Sequence, residues 1–129
     1  MNWDKLGKKT LLVAEDDDFN RKLISMMLSK NHKINIIEAV NGEEALTLLA
    51  SKAIDALLLD IYMPNIDGFE TLTIIRKDDK YKNLPIIMIS SDEVEKKKSF
   101  ALGANAFLAK PFKLNDLEEQ VYNILVSGS

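Results

Sequence analysis

The chain has 129 residues, the size of one domain, long enough to bury a core and too short for two. Its 47% hydrophobic and 29% charged content excludes the disordered and fibrous classes, and a net charge of -3 argues against nucleic acid, which asks for clustered Lys and Arg. With no cysteine, neither a disulfide framework nor a thiolate metal site is available, and a reducing, cytoplasmic setting is compatible. The longest apolar runs, such as Ile86–Ile89, fall far short of the roughly 20 residues of a membrane helix. No apolar stretch follows the charges near Met1, so neither membrane contact nor a secretory signal is expected.

In chain order, residues 1–8 form a lead-in, and Thr10–Ala14 is the first β-rich run. Phe19, Leu23, Ile24, Met27 and Leu28 follow at helical spacing, which predicts a helix with one core face, capped by Asp17 or Asp18. A strand over Ile34–Ala39 is parted by Asn41-Gly42 from a helix over Glu43–Ala50. Ala56–Leu59 is the third strand, and Gly68 introduces a helix to about Lys77. Ile86–Ile89 is the fourth strand, Lys96–Lys98 lie in a fourth helix that Gly103 ends in the C′ role, Ala106–Ala109 is the fifth strand, and the last helix spans about Asn115 to Val126.

Several strands are apolar almost without interruption, as strands buried on both faces are. Five βα units predict an α/β fold: a doubly wound, five-stranded parallel sheet in the flavodoxin-like order 2-1-3-4-5, with helices on both faces. Such sheets bind ligands at the carboxyl ends of the strands, where the winding reverses. Glu15-Asp16-Asp17 come directly after the first strand and Asp60 after the third. In the predicted order these strands are neighbours, about 4.8 Å apart, so the carboxylates of Asp16 and Asp60 repel unless a cation or a proton relieves them. A hard divalent ion is the natural relief, and Mg²⁺ prefers oxygen ligands and usually takes only one or two carboxylates plus phosphate oxygens. Ser90-Ser91 and Lys110-Pro111 follow the fourth and fifth strands. That edge therefore offers a nucleophile, a metal site and charge-neutralising donors, which is what phosphoryl transfer to a carboxylate requires. Taken singly, an acidic triplet reads as a solvated loop or helix cap and a strand-end Asp as a turn residue; their joint placement favours chemistry.

Leu11–Asp17, Leu58–Gly68 and Gly103–Phe112, in that order and spacing, resemble the response-regulator receiver family, and the resemblance runs from Lys9 to about Leu125. It implies a receiver domain over 9–126 with a tail at 127–129. It makes Asp60 the phosphoacceptor, Asp16 a direct ligand of Mg²⁺ (or Mn²⁺), Glu15 a ligand through water, and the backbone carbonyl of Tyr62 a further ligand. Ser90 and Lys110 would each hold a phosphoryl oxygen, with Lys110-Pro111 expected in the cis form. Phe107 matches the family's switch aromatic without its phenol oxygen, leaving a switch by ring packing or a plain core residue. Tyr62 and Asp92 occupy the positions that tune dephosphorylation.

The resemblance further implies a partner that donates the phosphoryl group, a histidine kinase or histidine phosphotransfer protein, and a downstream protein on the face of the fourth helix, fifth strand and fifth helix. Lys96–Lys98 belong either to that face or to a solvated helix surface. His32, between Lys30 and Lys33, reads as an exposed loop residue and not a phosphodonor. Such a domain is not an enzyme in the ordinary sense, since it catalyses only its own phosphorylation and dephosphorylation. Two rivals stay open: a phosphohydrolase of the haloacid-dehalogenase type, for which Asp16-Asp17-Asp18-Phe19-Asn20 supplies only the aspartates, and an interaction module that never accepts phosphate. No output domain is expected after Val126. The chain reads as a stand-alone regulator or as a receiver cut from a larger protein, and Trp3–Lys8 resembles the lead-in of receivers at the C-terminus of hybrid histidine kinases.

Overall fold

The computed structural model describes residues 1–29 and 34–127, so the expectation for His32 lies outside the described residues. Five strands, β1 (Lys9–Ala14), β2 (Ile34–Ala39), β3 (Ala56–Asp60), β4 (Ile86–Ser90) and β5 (Ala106–Ala109), form one parallel sheet in the order β2-β1-β3-β4-β5. This is the doubly wound order predicted above. Five helices connect or follow them: α1 (Asp18–Ser29), α2 (Gly42–Ser51), α3 (Gly68–Lys77), α4 (Glu95–Ala101) and α5 (Leu114–Ser127). A short 3₁₀ turn, Asp79–Tyr81, lies before β4.

The period of two along each strand splits the core into two layers. Leu12, Leu57, Leu59, Ile86, Met88 and Phe107 face one layer with Ala45 and Leu49 of α2 and Leu72 and Ile75 of α3. Leu11, Val13, Leu58, Ile87 and Leu108 face the other, with Ile24 and Leu28 of α1 and Leu117, Val121 and Ile124 of α5. Every residue of β3 is buried, which is why Ala56–Leu59 reads as an unbroken apolar run.

Local chemistry sets the helix boundaries. Asp17 supplies the α1 cap, its carboxylate accepting from the Asn20 N–H at 2.8 Å. Asn41 and Asp67 cap α2 and α3 in the same way, each at 2.8 Å. Gly103, at φ +107°, takes the left-handed position after α4 that a β-carbon disfavours.

One expectation is corrected. The core face of α1 is Arg21, Ile24, Ser25 and Leu28, whereas Phe19 is 73% exposed and Leu23 36% exposed. Two apolar stripes interleave at helical spacing, and only one can meet β1 and α5. In the lead-in, Trp3–Leu6 forms one helical turn, Trp3 meets the Tyr122 ring edge-on at 5.2 Å, and Leu6 packs on the α1/α5 layer. At the other end α5 takes in Ser127, the first residue read as tail. Lys96, Lys97 and Lys98 are exposed on α4, and the Lys98 ammonium sits 4.4 Å from the Phe69 ring centroid.

Candidate functional site

At the carboxyl edge of the sheet, β1 delivers Glu15 and Asp16, β3 delivers Asp60, β4 delivers Ser90 and β5 delivers Lys110. Glu15 leaves β1 with its N–H bonded to the Ala39 carbonyl at 3.1 Å. Its own carbonyl accepts from the Arg21 guanidinium at 2.9 Å. Arg21, 6% exposed, also bonds Glu38 of β2 at 3.0 Å and pairs with Asp18. Asp16 is thus bracketed by a carbonyl fixed by Arg21 and by the carboxylate cap of Asp17. Arg21 escaped the sequence analysis, although a lone cation on the stripe Arg21-Ile24-Ser25-Leu28 is a usable signal for a fixed carboxylate or carbonyl nearby.

Asp60 closes β3 opposite Ile89 and is 4% exposed. Its Oδ1 accepts from the Tyr62 N–H at 3.1 Å and its Oδ2 from the Lys110 ammonium at 2.6 Å. The chain then turns through Asn65, at φ +69°, and returns so that the Gly68 N–H donates to the Ile61 carbonyl at 2.7 Å. A β-carbon on Gly68 would lie 2.4 Å from the Asp60 carbonyl oxygen and 2.6 Å from the Ile61 Cα. Only glycine lets α3 begin this close to the acceptor.

Lys110 reaches in from the end of β5, and the bond that follows it, Lys110-Pro111, is cis. Its backbone N–H is held by the Ser90 carbonyl at 2.8 Å, and its ammonium bridges Asp60 and, at 3.0 Å, Glu15. Burial alone would push the Lys110 ammonium down, but the hydrogen bonds to Asp60 and Glu15 outweigh it and hold the group above the usual lysine value. Burial, then the proximity of Asp60, pushes the Glu15 carboxyl up to about 8 despite Lys110. Ligand oxygens of Glu15, Asp16 and Asp60 lie within 4.8 Å of one another. Glu15 Oε2 is buried and has no hydrogen-bond partner among the described residues. Crowded carboxyl oxygens, with Glu15 Oε2 unpartnered and Asp16 exposed to solvent, fit a hard divalent cation that keeps several waters.

Ser90 is fully buried, and its Oγ accepts from the Asp92 N–H at 3.0 Å. Asp92 is exposed, its carboxylate bonded to the Val94 N–H at 3.1 Å. Phe107, 9% exposed, pairs with Met88, two pairs below the Ser90/Ala109 pair and so on the same sheet face. Tyr62 is 53% exposed, and its phenol donates to Glu95 of α4 at 2.8 Å. That hydrogen bond, followed by partial desolvation and then the charges of Glu95, Asp92 and Asp67, raises the phenol above the usual tyrosine value. Glu95 was also missed by the sequence analysis; 33 residues separate the pair and no local pattern joins them.

Comparison with known proteins bears on the family and the fold. A family model described as the response regulator receiver domain matches residues 11–122. A probable transcriptional regulator ycf27 of Cyanidium caldarium is 34% identical over 117 residues, 89% of this chain; the chain spans 45% of that regulator. The crystal structure of a putative response regulator from Chloroflexus aurantiacus superposes with a TM-score of 0.88 at 36% identity, covering 92% of this chain and 98% of that one. The response regulator TrrA from Thermotoga maritima, solved in complex with Mg²⁺–BeF, gives a TM-score of 0.82 at 33% identity, covering 90% and 98%.

Proposed function

The chain belongs to the response-regulator receiver family of two-component signalling, and we propose that its Asp60 accepts a phosphoryl group, with Mg²⁺ or Mn²⁺ bound, from a phosphohistidine of a histidine kinase or histidine phosphotransfer protein. The observation that carries this is the buried Asp60 carboxylate, held by the Tyr62 N–H and the Lys110 ammonium beside Glu15 and Asp16. Asp16, Asp60 and the Tyr62 carbonyl would hold the cation directly and Glu15 through water; when bound, it neutralises charge on the carboxylates and on the incoming phosphoryl oxygens.

A carboxylate nucleophile needs no general base. One Asp60 oxygen bonds to phosphorus as the P–N bond to the donor imidazole breaks, and the electron pair returns to the ring nitrogen, which takes a proton from solvent. Lys110 then pairs with a phosphoryl oxygen. The Ser90 hydroxyl, an acceptor towards its own loop in this structure, retains a proton to donate to another. Movement of Ser90 and its loop passes to Phe107, on the same sheet face, by packing, and repacks the α4/β5/α5 face that a downstream protein reads. Tyr62 and Asp92 flank the approach of water and tune dephosphorylation.

The domain turns over no separate substrate pool, and its relatives are signalling proteins. No helix among the described residues is long and apolar enough to cross a membrane, and we place the domain in the cytoplasm, either as a stand-alone regulator or as the receiver of a longer hybrid kinase. Incubation with acetyl phosphate and intact-mass measurement tests the reading. One phosphoryl adduct is expected on the wild type and none on Asp60→Asn; an adduct surviving that substitution contradicts it.

A further inference from the structure

Among the described residues, Tyr62 and Glu95 form a side-chain hydrogen bond between the β3–α3 loop and α4. Tyr62 sits two residues past Asp60, with its N–H on Asp60 Oδ1 at 3.1 Å. Glu95, half-buried, opens α4 five residues past Ser90. β3 and β4 are neighbours with Asp60 opposite Ile89, so Asp60 and Ser90 lie at adjoining strand ends. A hydrogen bond of 2.8 Å from the Tyr62 phenol to Glu95 Oε1 therefore carries the aromatic ring from one strand's loop to the other's, spanning the sheet edge where a phosphoryl group on Asp60 would stand.

We propose that Glu95 is a positioning residue for dephosphorylation: it holds the Tyr62 ring across the mouth of the site, limiting the approach of water and lengthening the life of the aspartyl phosphate. This inference rests on Asp60 being the phosphoacceptor. In the step concerned, a water oxygen bonds to phosphorus as the bond from phosphorus to the Asp60 oxygen breaks. The carboxylate leaves with its electron pair, and the proton from water passes to phosphate or solvent. Attack runs in line with the breaking bond, so a ring fixed across the mouth restricts it while a freely turning one opens it. A carboxylate acceptor makes the bridge charge-assisted, and its position outside the core lets it be cut without disturbing the packing.

The test follows first-order loss of label from protein phosphorylated with radiolabelled acetyl phosphate, at fixed Mg²⁺, alongside thermal unfolding of each variant. E95A and Y62F are each expected to lose label roughly fivefold faster, the factor that accompanies loss of one partly exposed hydrogen bond. E95Q, whose amide oxygen still accepts from the phenol, stays within roughly twofold of wild type. The Y62F/E95A double variant is no faster than the faster single variant, because both cut the same bond. Unfolding temperatures stay together, which separates positioning from a structural role. Wild-type loss rates in E95A, or E95Q as fast as E95A, overturn the proposal. A wild type that takes no label overturns the reading of Asp60 and the proposal with it.

Discussion

Replacing Glu15 by Gln removes a carboxyl that burial and Asp60 push from the ordinary 4.5 up to about 8, so without divalent cation the substitution changes how stability depends on pH. The folded protein holds this proton more tightly than the unfolded chain does. Below about pH 4.5 both states are protonated and the group has no effect on the difference. Between about pH 4.5 and 8 the unfolded chain ionises while the folded protein does not, so wild-type stability falls with rising pH, and above about pH 8 both states are ionised and the loss levels off. Each pH unit across which the two states differ by one proton costs the wild type about 1.36 kcal/mol. With the curve rounding at both ends, E15Q should gain about 3 to 4 kcal/mol on wild type between about pH 5 and pH 8. Titrating groups remote from Glu15 cancel in the difference between the two proteins. Urea unfolding in a chelating buffer at several pH values measures it, and addition of Mg²⁺ should favour wild type most strongly above about pH 8, where no proton competes for Glu15. Parallel stability curves across that range would refute the reasoning, because Glu15 would then have an ordinary carboxyl environment.

Lys110→Met removes the ammonium that bridges Asp60 and Glu15; the initial rate of labelling by acetyl phosphate should fall by about a hundredfold, the usual effect of losing one charge-stabilising donor, and an unchanged rate would count against its role. Gly68→Ala places a methyl group 2.4 Å from the Asp60 carbonyl and 2.6 Å from the Ile61 Cα. Backbone atoms cannot rotate away, so denaturant midpoints should drop in proportion to about 1–3 kcal/mol.

The strands were legible because burial on both sheet faces leaves no polar interruption, as Ala56–Leu59 shows. The meeting of Glu15, Asp16, Asp60, Ser90 and Lys110 at one edge was legible too, since each directly follows or ends a strand and the sheet order brings those ends together. The face of α1 was not. Phe19 and Leu23 share its period with Ile24 and Leu28, and which stripe is covered depends on how α1 lies against β1 and α5. Arg21 was hidden for a related reason: its partners Glu15 and Glu38 come from the end of β1 and from β2. The Tyr62–Glu95 bridge depends on the loop through Asn65 and Gly68 and on where α4 starts, neither of which hydrophobic periodicity encodes.

The measurement that bears most directly on Asp60 is chemical trapping of the phosphorylated protein. After acetyl phosphate treatment, borohydride reduction converts an aspartyl phosphate to homoserine, and peptide sequencing by mass spectrometry locates it. Homoserine at position 60, formed in Mg²⁺ and suppressed by chelation, is the expected result. Homoserine at Asp16 or Asp17 in place of Asp60, or equal yield at Asp60 with the metal chelated, would contradict the assignment of acceptor and cation site.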